Sequence, residues 1–194
     1  MPKAAVVVEG RLLVVAATAG ELVGVPAGVA RLACGIGPVD AGIATAALIA
    51  ASRPGAVLHV GIAGARRDER LPLRVLVLGA ASVYEDVANP ELVVRRALPD
   101  AALLAAARVA LPEAIVLEIG TSARVGGVAG APVEAMEGFA VLRACALAGV
   151  PAVELRAVSN EIEEPDRARW DFAGALAALA EALPRAVAAL APLP

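Results

Sequence analysis

The chain is poor in the residues that most catalytic motifs need. Its 194 residues hold one histidine (His59), one lysine (Lys3), two asparagines (Asn89 and Asn160), two cysteines and no glutamine, and only 2% are aromatic. Without a Gly-Lys pair there is no Walker-type phosphate loop. With a single histidine, a His-rich metal centre and a Ser-His-Asp triad are both excluded in practice. A Schiff-base lysine would have to be Lys3, close to the chain end. Cys34 and Cys145 are too far apart for a short-spaced metal motif and read as buried thiols of a reducing cytoplasm. A formal net charge of −3 argues against broad electrostatic binding to nucleic acid or an anionic membrane. No metal and no organic cofactor is expected.

What is abundant is small and apolar. About a quarter of the residues are alanine, and 59% of the chain is hydrophobic. A mean hydropathy of +0.75 invites a membrane reading. The charges oppose it, because Asp40 interrupts the stretch 32–52 and other uncharged runs fall short of the roughly 20 residues a span needs. The first residues alternate apolar blocks with Glu9 and Arg11, which is not a signal-peptide pattern. Abundant proline and arginine with scarce amides fit a thermophile or a GC-rich genome equally.

Apolar β-rich runs alternate with alanine-rich helical runs, and no linker or repeat divides the chain. Strands are expected at 4–8, 12–16, 29–34, 56–61, 73–78, 114–119 and 151–158, the first two forming a hairpin around Glu9-Gly10. Helices are expected at 39–51, after the Asn89-Pro90 start, at 101–110 capped by Asp100, at 133–148 stopped by Gly149, and at 172–190 with a bend or break at Pro184. Continuous apolar strands between helices indicate a sheet covered on both faces, an α/β three-layer domain. Ligands of such sheets sit beyond the strand C-terminal ends. That directs attention to 17–21, 35–37, 62–64, 120–124 and 159–163.

Five sites could carry chemistry there. Glu21 follows a strand end, where a first-turn carboxylate is also simply favoured by a helix dipole. Gly35-Ile36-Gly37 allows close backbone approach, or is a plain strand-to-helix turn. Gly61-Ile62-Ala63-Gly64 reads as a turn with free N–H groups. In Val133-Glu134-Ala135-Met136-Glu137-Gly138, two carboxylates three apart share a helix face, and a glycine inside that helix implies a close neighbour. Asn160, at a buried strand's tip, offers an amide donor and acceptor, or caps a turn.

Taken in order, Cys34-Gly35-Ile36-Gly37, Val60-Gly61-Ile62-Ala63-Gly64, Val133–Gly138 and Val150–Asn160 resemble the nucleoside phosphorylase and nucleosidase superfamily. Within it the chain looks most like the futalosine hydrolase branch, which cleaves an N-glycosidic bond and releases hypoxanthine. The resemblance implies one domain over 1–194, a three-layer αβα sandwich around a mixed, mostly buried central sheet, and a homo-oligomer in the cytoplasm acting on a small-molecule nucleoside. Glu21 then matches the water-activating carboxylate, Glu137 the ribose-binding carboxylate and Met136 the residue under the sugar. Asn160 stands where adenine-specific relatives carry aspartate, which points to a 6-oxopurine. Ile62, Ala63, Gly64, Thr121 and Ser122 are expected to contact the base. Ile62 occupies a position where relatives often have a small polar residue. Arg124 and Arg156 are candidates for the carboxylate of futalosine's benzoate tail. The alternatives are a phosphorylase, kept open by Arg66 and Arg67, a methylthioadenosine or adenosylhomocysteine nucleosidase, and a non-catalytic nucleoside-binding protein. The last predicts that Glu21 and Glu137 lie on different faces or point to solvent.

Overall fold

A computed structural model describes residues 11–87, 89–126 and 130–191. The strand expected at 4–8 and its hairpin lie outside the described residues. The elements are β1 (Leu12–Ala16), β2 (Ala30–Ala33), α1 (Pro38–Ser52), β3 (Ala56–Ala65), β4 (Leu76–Tyr84), β5 (Arg96–Ala97), α2 (Ala101–Ala110), β6 (Ile115–Thr121), β7 (Val133–Ala135), α3 (Gly138–Ala148), β8 (Ala152–Glu161) and α4 (Phe172–Leu190), with short 3-10 turns between them.

Among the described residues the strands form one mixed sheet of eight. β3 runs parallel to β1 and to β8, and β8 runs antiparallel to β4. β4 pairs with β6, β6 with β7, and β7 returns antiparallel to the end of β3. Those five strands therefore close a ring. β2 and β1 extend from β3, and β5 extends from β4.

Strand alternation sorts the core into layers. Leu12, Val14, Leu58, Val60 and Leu155 meet the inner stripes of α2 and α4. Leu13, Val15 and Val57 face the other way, onto Ala41 and Ile49 of α1 and Val141, Leu142 and Cys145 of α3. Ala63, Val77, Ile119, Val133 and Val158 form a third cluster made only of strand residues. This is the α/β, three-layer arrangement with a mixed central sheet. Burying each Val or Leu side chain contributes roughly 1.5–3 kcal/mol. By length and composition α4 could cross a membrane. Here Ala175, Leu179, Leu183, Ala186 and Leu190 are buried in the core.

Local sequence sets several boundaries. Asp100 accepts hydrogen bonds from the N–H groups of Ala102 and Leu103, starting α2. Gly149, at φ 69°, ends α3 in the left-handed conformation. α4 runs through Pro184 without a break.

Four expectations are corrected. Residues 62–64 are not a turn but the last part of β3, because β8 and β7 both supply hydrogen-bonding partners there. The helix expected at 133–148 begins only at Gly138, because Val133–Ala135 is captured as a strand between β3 and β6. Glu134 and Glu137 therefore do not share a helix face. No helix follows Asn89-Pro90; a turn closed by the Asn89 carbonyl and the Leu92 N–H leads to β5, which pairs with β4. The strand expected at 73–78 starts at Leu76 and runs on to Tyr84.

Candidate active site

A cavity of about 640 Å³ opens at the C-terminal ends of β1, β3 and β8. Glu21, Ile62, Ala63, Gly64, Met136, Glu137 and Asn160 all line it. Thr121 and Ser122 do not. Thr121 Oγ1 accepts from the Phe139 N–H at the start of α3, and Ser122 Oγ donates to Asp86. Both hydroxyls thus hold neighbouring segments, and the structure does not bring these two expected base contacts to the cavity with the other candidates.

Glu21 sits in the 3-10 turn after β1 and is 6% exposed. Its Oε2 accepts from the N–H and hydroxyl of Thr18, both at 2.9 Å, and Oε1 accepts from the Ile62 N–H at 3.1 Å. The apolar Ile62 side chain thus stands in the wall while its backbone orients the carboxylate. Glu137 Oε1 accepts from the Gly37 N–H at 3.0 Å. Gly37 caps α1 at φ 94°, which favours glycine, and so aims that N–H at the cavity. Burial pushes the Glu137 carboxyl up from its ordinary value, against the opposing pull of Arg156 and the Gly37 hydrogen bond. Glu134, also on the cavity wall, accepts from the Gly126 N–H.

Beneath these carboxylates lies a buried charge network. Arg156, 1% exposed, donates from Nε to Glu154 at 2.8 Å and from Nη1 to Glu137 at 3.5 Å. Its Nη2 faces His59 Nε2, and His59 Nδ1 lies 3.0 Å from the Val15 carbonyl. Only one tautomer serves both contacts: Nδ1–H donates to the carbonyl and Nε2 accepts from the guanidinium. Burial and Arg156 push the His59 pKa well below its ordinary value, which keeps the ring neutral. The Ser82 hydroxyl donates to the other oxygen of Glu154. Arg156 is therefore occupied and is not available to a substrate tail; Arg124 does not line the cavity either.

Two glycines make room for this network. In the register of β3 with β8, Gly61 lies opposite Arg156. A Cβ at Gly61 would strike Arg156 Nη1 and come within 2.7 Å of Glu21 Oε1. A Cβ at Gly138 would come within 2.6 Å of Glu154 Cδ, which identifies the close neighbour that this glycine implied.

Sequence reasoning passed over Glu154 and Arg156 as a pair and His59 as their partner. The available signal was opposite charges two residues apart in an otherwise apolar buried strand, which puts both on one face where neither can reach water. Among the described residues, no cluster of three or more His, Cys, Asp or Glu could hold a metal ion.

Residues 14–192 match the model of the Phosphorylase superfamily. This chain belongs to that superfamily. Shorter stretches match curated members closely: 57% identity over 54 residues with a futalosine hydrolase of Streptomyces coelicolor, and 49% over 59 residues with one of Thermus thermophilus. Those stretches cover 28% and 30% of this chain but only 23% and 26% of the relatives, so the matched part spans about a quarter of their length. Among solved structures, a futalosine hydrolase mutant of Helicobacter pylori superposes with a TM-score of 0.82 at 20% identity, over 92% of this chain and 99% of that one. A 5′-methylthioadenosine/S-adenosylhomocysteine nucleosidase from the same organism gives 0.82 at 19% identity, over 93% and 98%. At that identity these likenesses establish the superfamily fold.

Proposed function

We propose that this member of the Phosphorylase superfamily hydrolyses the N-glycosidic bond of a 6-oxopurine nucleoside, with futalosine as substrate and hypoxanthine and dehypoxanthine futalosine as products, a step of menaquinone biosynthesis. The observation that carries the reading is the convergence of Glu21, Met136, Glu137 and Asn160, from three separate segments, on one cavity.

Cleavage of a ribosyl–purine bond builds positive charge on the sugar. Glu21, fixed by three donors, takes a proton from the water that attacks C1′. Ionised Glu137 accepts hydrogen bonds from the ribose hydroxyls and places negative charge beside the developing cation. Met136 packs under the sugar. The electron pair of the breaking bond passes to the purine. Asn160 steadies that base: its Oδ1 accepts from Ser159 Oγ at 2.7 Å and one Nδ2 hydrogen goes to the Glu161 carbonyl. The second amide hydrogen is left to donate to O6 or N7, and solvent then protonates the departing base. Ile62, Ala63 and Gly64 form the wall along which the base lies.

Water fits this site better than phosphate. A dianion beside Glu21 and Glu137 would meet two carboxylates, and the Arg156 beneath them is already committed to Glu137 and Glu154. The arginines that kept a phosphorylase open turn elsewhere, Arg66 pairing with Asp68 and Arg67 with Glu161, and neither lines the cavity. A non-catalytic binding protein was expected to separate Glu21 from Glu137; both line the same cavity.

The test is release of free base from futalosine, inosine and methylthioadenosine, with and without phosphate. Hypoxanthine from futalosine in phosphate-free buffer supports the proposal. Release that requires phosphate, or adenine from methylthioadenosine alone, overturns it. The same reading includes a cytoplasmic homo-oligomer. Its support is an apolar groove of about 560 Å³ between α1 and α3, lined in part by exposed Val39 and Leu147. A monomer mass in sedimentation equilibrium would remove that part.

A further inference from the structure

We infer that the cavity's outer wall is a subsite for a flat, apolar substituent that ends in a carboxylate. This rests on the nucleosidase reading and adds to it the part of the substrate beyond the sugar.

The cavity is divided by charge. Its inner wall carries Glu21, Glu134 and Glu137, all less than 8% exposed. Its outer wall carries Arg167, Trp170 and Phe172, all on the segment that leaves β8 and enters α4. Two of the chain's four aromatic residues stand there, their ring centroids 5.5 Å apart and tilted by 44°. The Arg167 guanidinium lies over the Trp170 ring, 5.6 Å from its centroid. An arginine at that distance is attracted to the aromatic face and keeps N–H donors for an anion.

The neighbouring arginines are already committed. Arg169 pairs with Glu164 and Asp166, Arg67 with Glu161, and Arg74 with Asp171. Arg167 forms no ion pair among the described residues, and it is the one cationic side chain among the described residues that line the cavity. The segment that presents it is anchored: the Trp170 indole N–H donates to the Glu164 carbonyl at 3.0 Å, and the Asp171 N–H donates to the Ser159 carbonyl at 2.8 Å. A nucleoside held at the carboxylates by its ribose would leave Arg167 and the ring pair uncovered. An aryl carboxylate carried beyond the sugar would cover both, stacking on the rings and giving its oxygens to the guanidinium. Futalosine carries such a group, a benzoate; inosine does not.

The test compares futalosine with inosine on the wild type, Arg167→Met and Arg167→Lys. Arg167→Met should raise KM for futalosine about tenfold, the range of a charge-assisted hydrogen bond, and leave the kinetics of inosine unchanged. Arg167→Lys should recover part of the loss. Added salt should raise the wild-type KM for futalosine and not that for inosine. Equal effects of Arg167→Met on the two nucleosides, or none on either, overturn the subsite. Equilibrium binding of both nucleosides to Glu21→Gln reads the same preference without turnover. A binding preference for futalosine that Arg167→Met abolishes would therefore uphold the subsite even if no hydrolysis is found, and that absence would fall on the parent reading alone.

Discussion

Gly61→Ala places a methyl group between the two charged groups on which the proposed chemistry depends. The new Cβ would stand 2.7 Å from Glu21 Oε1 and 3.2 Å from Arg156 Cζ, and still nearer Nη1. Ordinary contact begins at 3.4 Å, so Oε1 must retreat by about 0.7 Å. That retreat strains the bond from the Ile62 N–H, 3.1 Å in the native site. Overpacking of this kind costs about 1–3 kcal/mol, which for a chain of this size lowers the unfolding temperature by roughly 2–12 °C. Displacing a positioned catalytic group by near 1 Å costs on the order of 10²-fold in rate. Turnover should thus fall about a hundredfold in a protein that still unfolds cooperatively. Gly130→Ala, where a Cβ meets nothing within 4 Å, is the control and should change neither quantity. Hypoxanthine release followed alongside thermal unfolding by circular dichroism reads both effects. A folded Gly61→Ala protein with turnover within twofold of wild type would refute the placement of the reacting water between Glu21 and the sugar.

Two further predictions concern the carboxylate and the amide. Because burial holds the Glu137 carboxyl above its ordinary value, kcat/KM should fall on the acid side at a pH above the usual carboxylate value of about 4.3. The folded state binds that proton more tightly than the unfolded state, so this group's stabilising contribution is fully present below the unfolded value and is lost as pH rises through the raised one. Glu137→Gln should flatten that part of the stability profile while abolishing most turnover, as pH-dependent melts and rates would show. Asn160→Asp should shift kcat/KM away from 6-oxopurine and toward 6-aminopurine nucleosides by about tenfold or more, measured on inosine and adenosine; an unchanged ratio would remove Asn160 from base recognition.

Much of this arrangement was readable from local pattern. The Asp100 cap and the apolar spacing of 172–190 give α2 and α4 with the observed bounds, and the unbroken apolar run at 12–16 gives β1. Non-local forces decided the rest. Val133–Ala135 reads as the first turn of a helix because nothing local distinguishes it, and only pairing with β3 and β6 makes it a strand. Gly61 and Gly64 look like turn residues. They are strand positions kept bare for the Arg156 and Asn160 side chains, and that need is invisible until β8 lies alongside. Glu137 stood out within an ordered motif, and Glu21 through its place just after a strand end. Arg167, Trp170 and Phe172 belong to no such motif, and their common cavity appears only once the chain from β8 to α4 has folded back over the strand ends.

Glu21 is proposed as the base that activates water, and the single-turnover rate of Glu21→Gln with futalosine in phosphate-free buffer tests that role most directly. The variant should keep the wild-type unfolding temperature and bind hypoxanthine, while the rate of base release falls by about 10²–10⁴-fold. A rate within a few-fold of wild type would contradict the account.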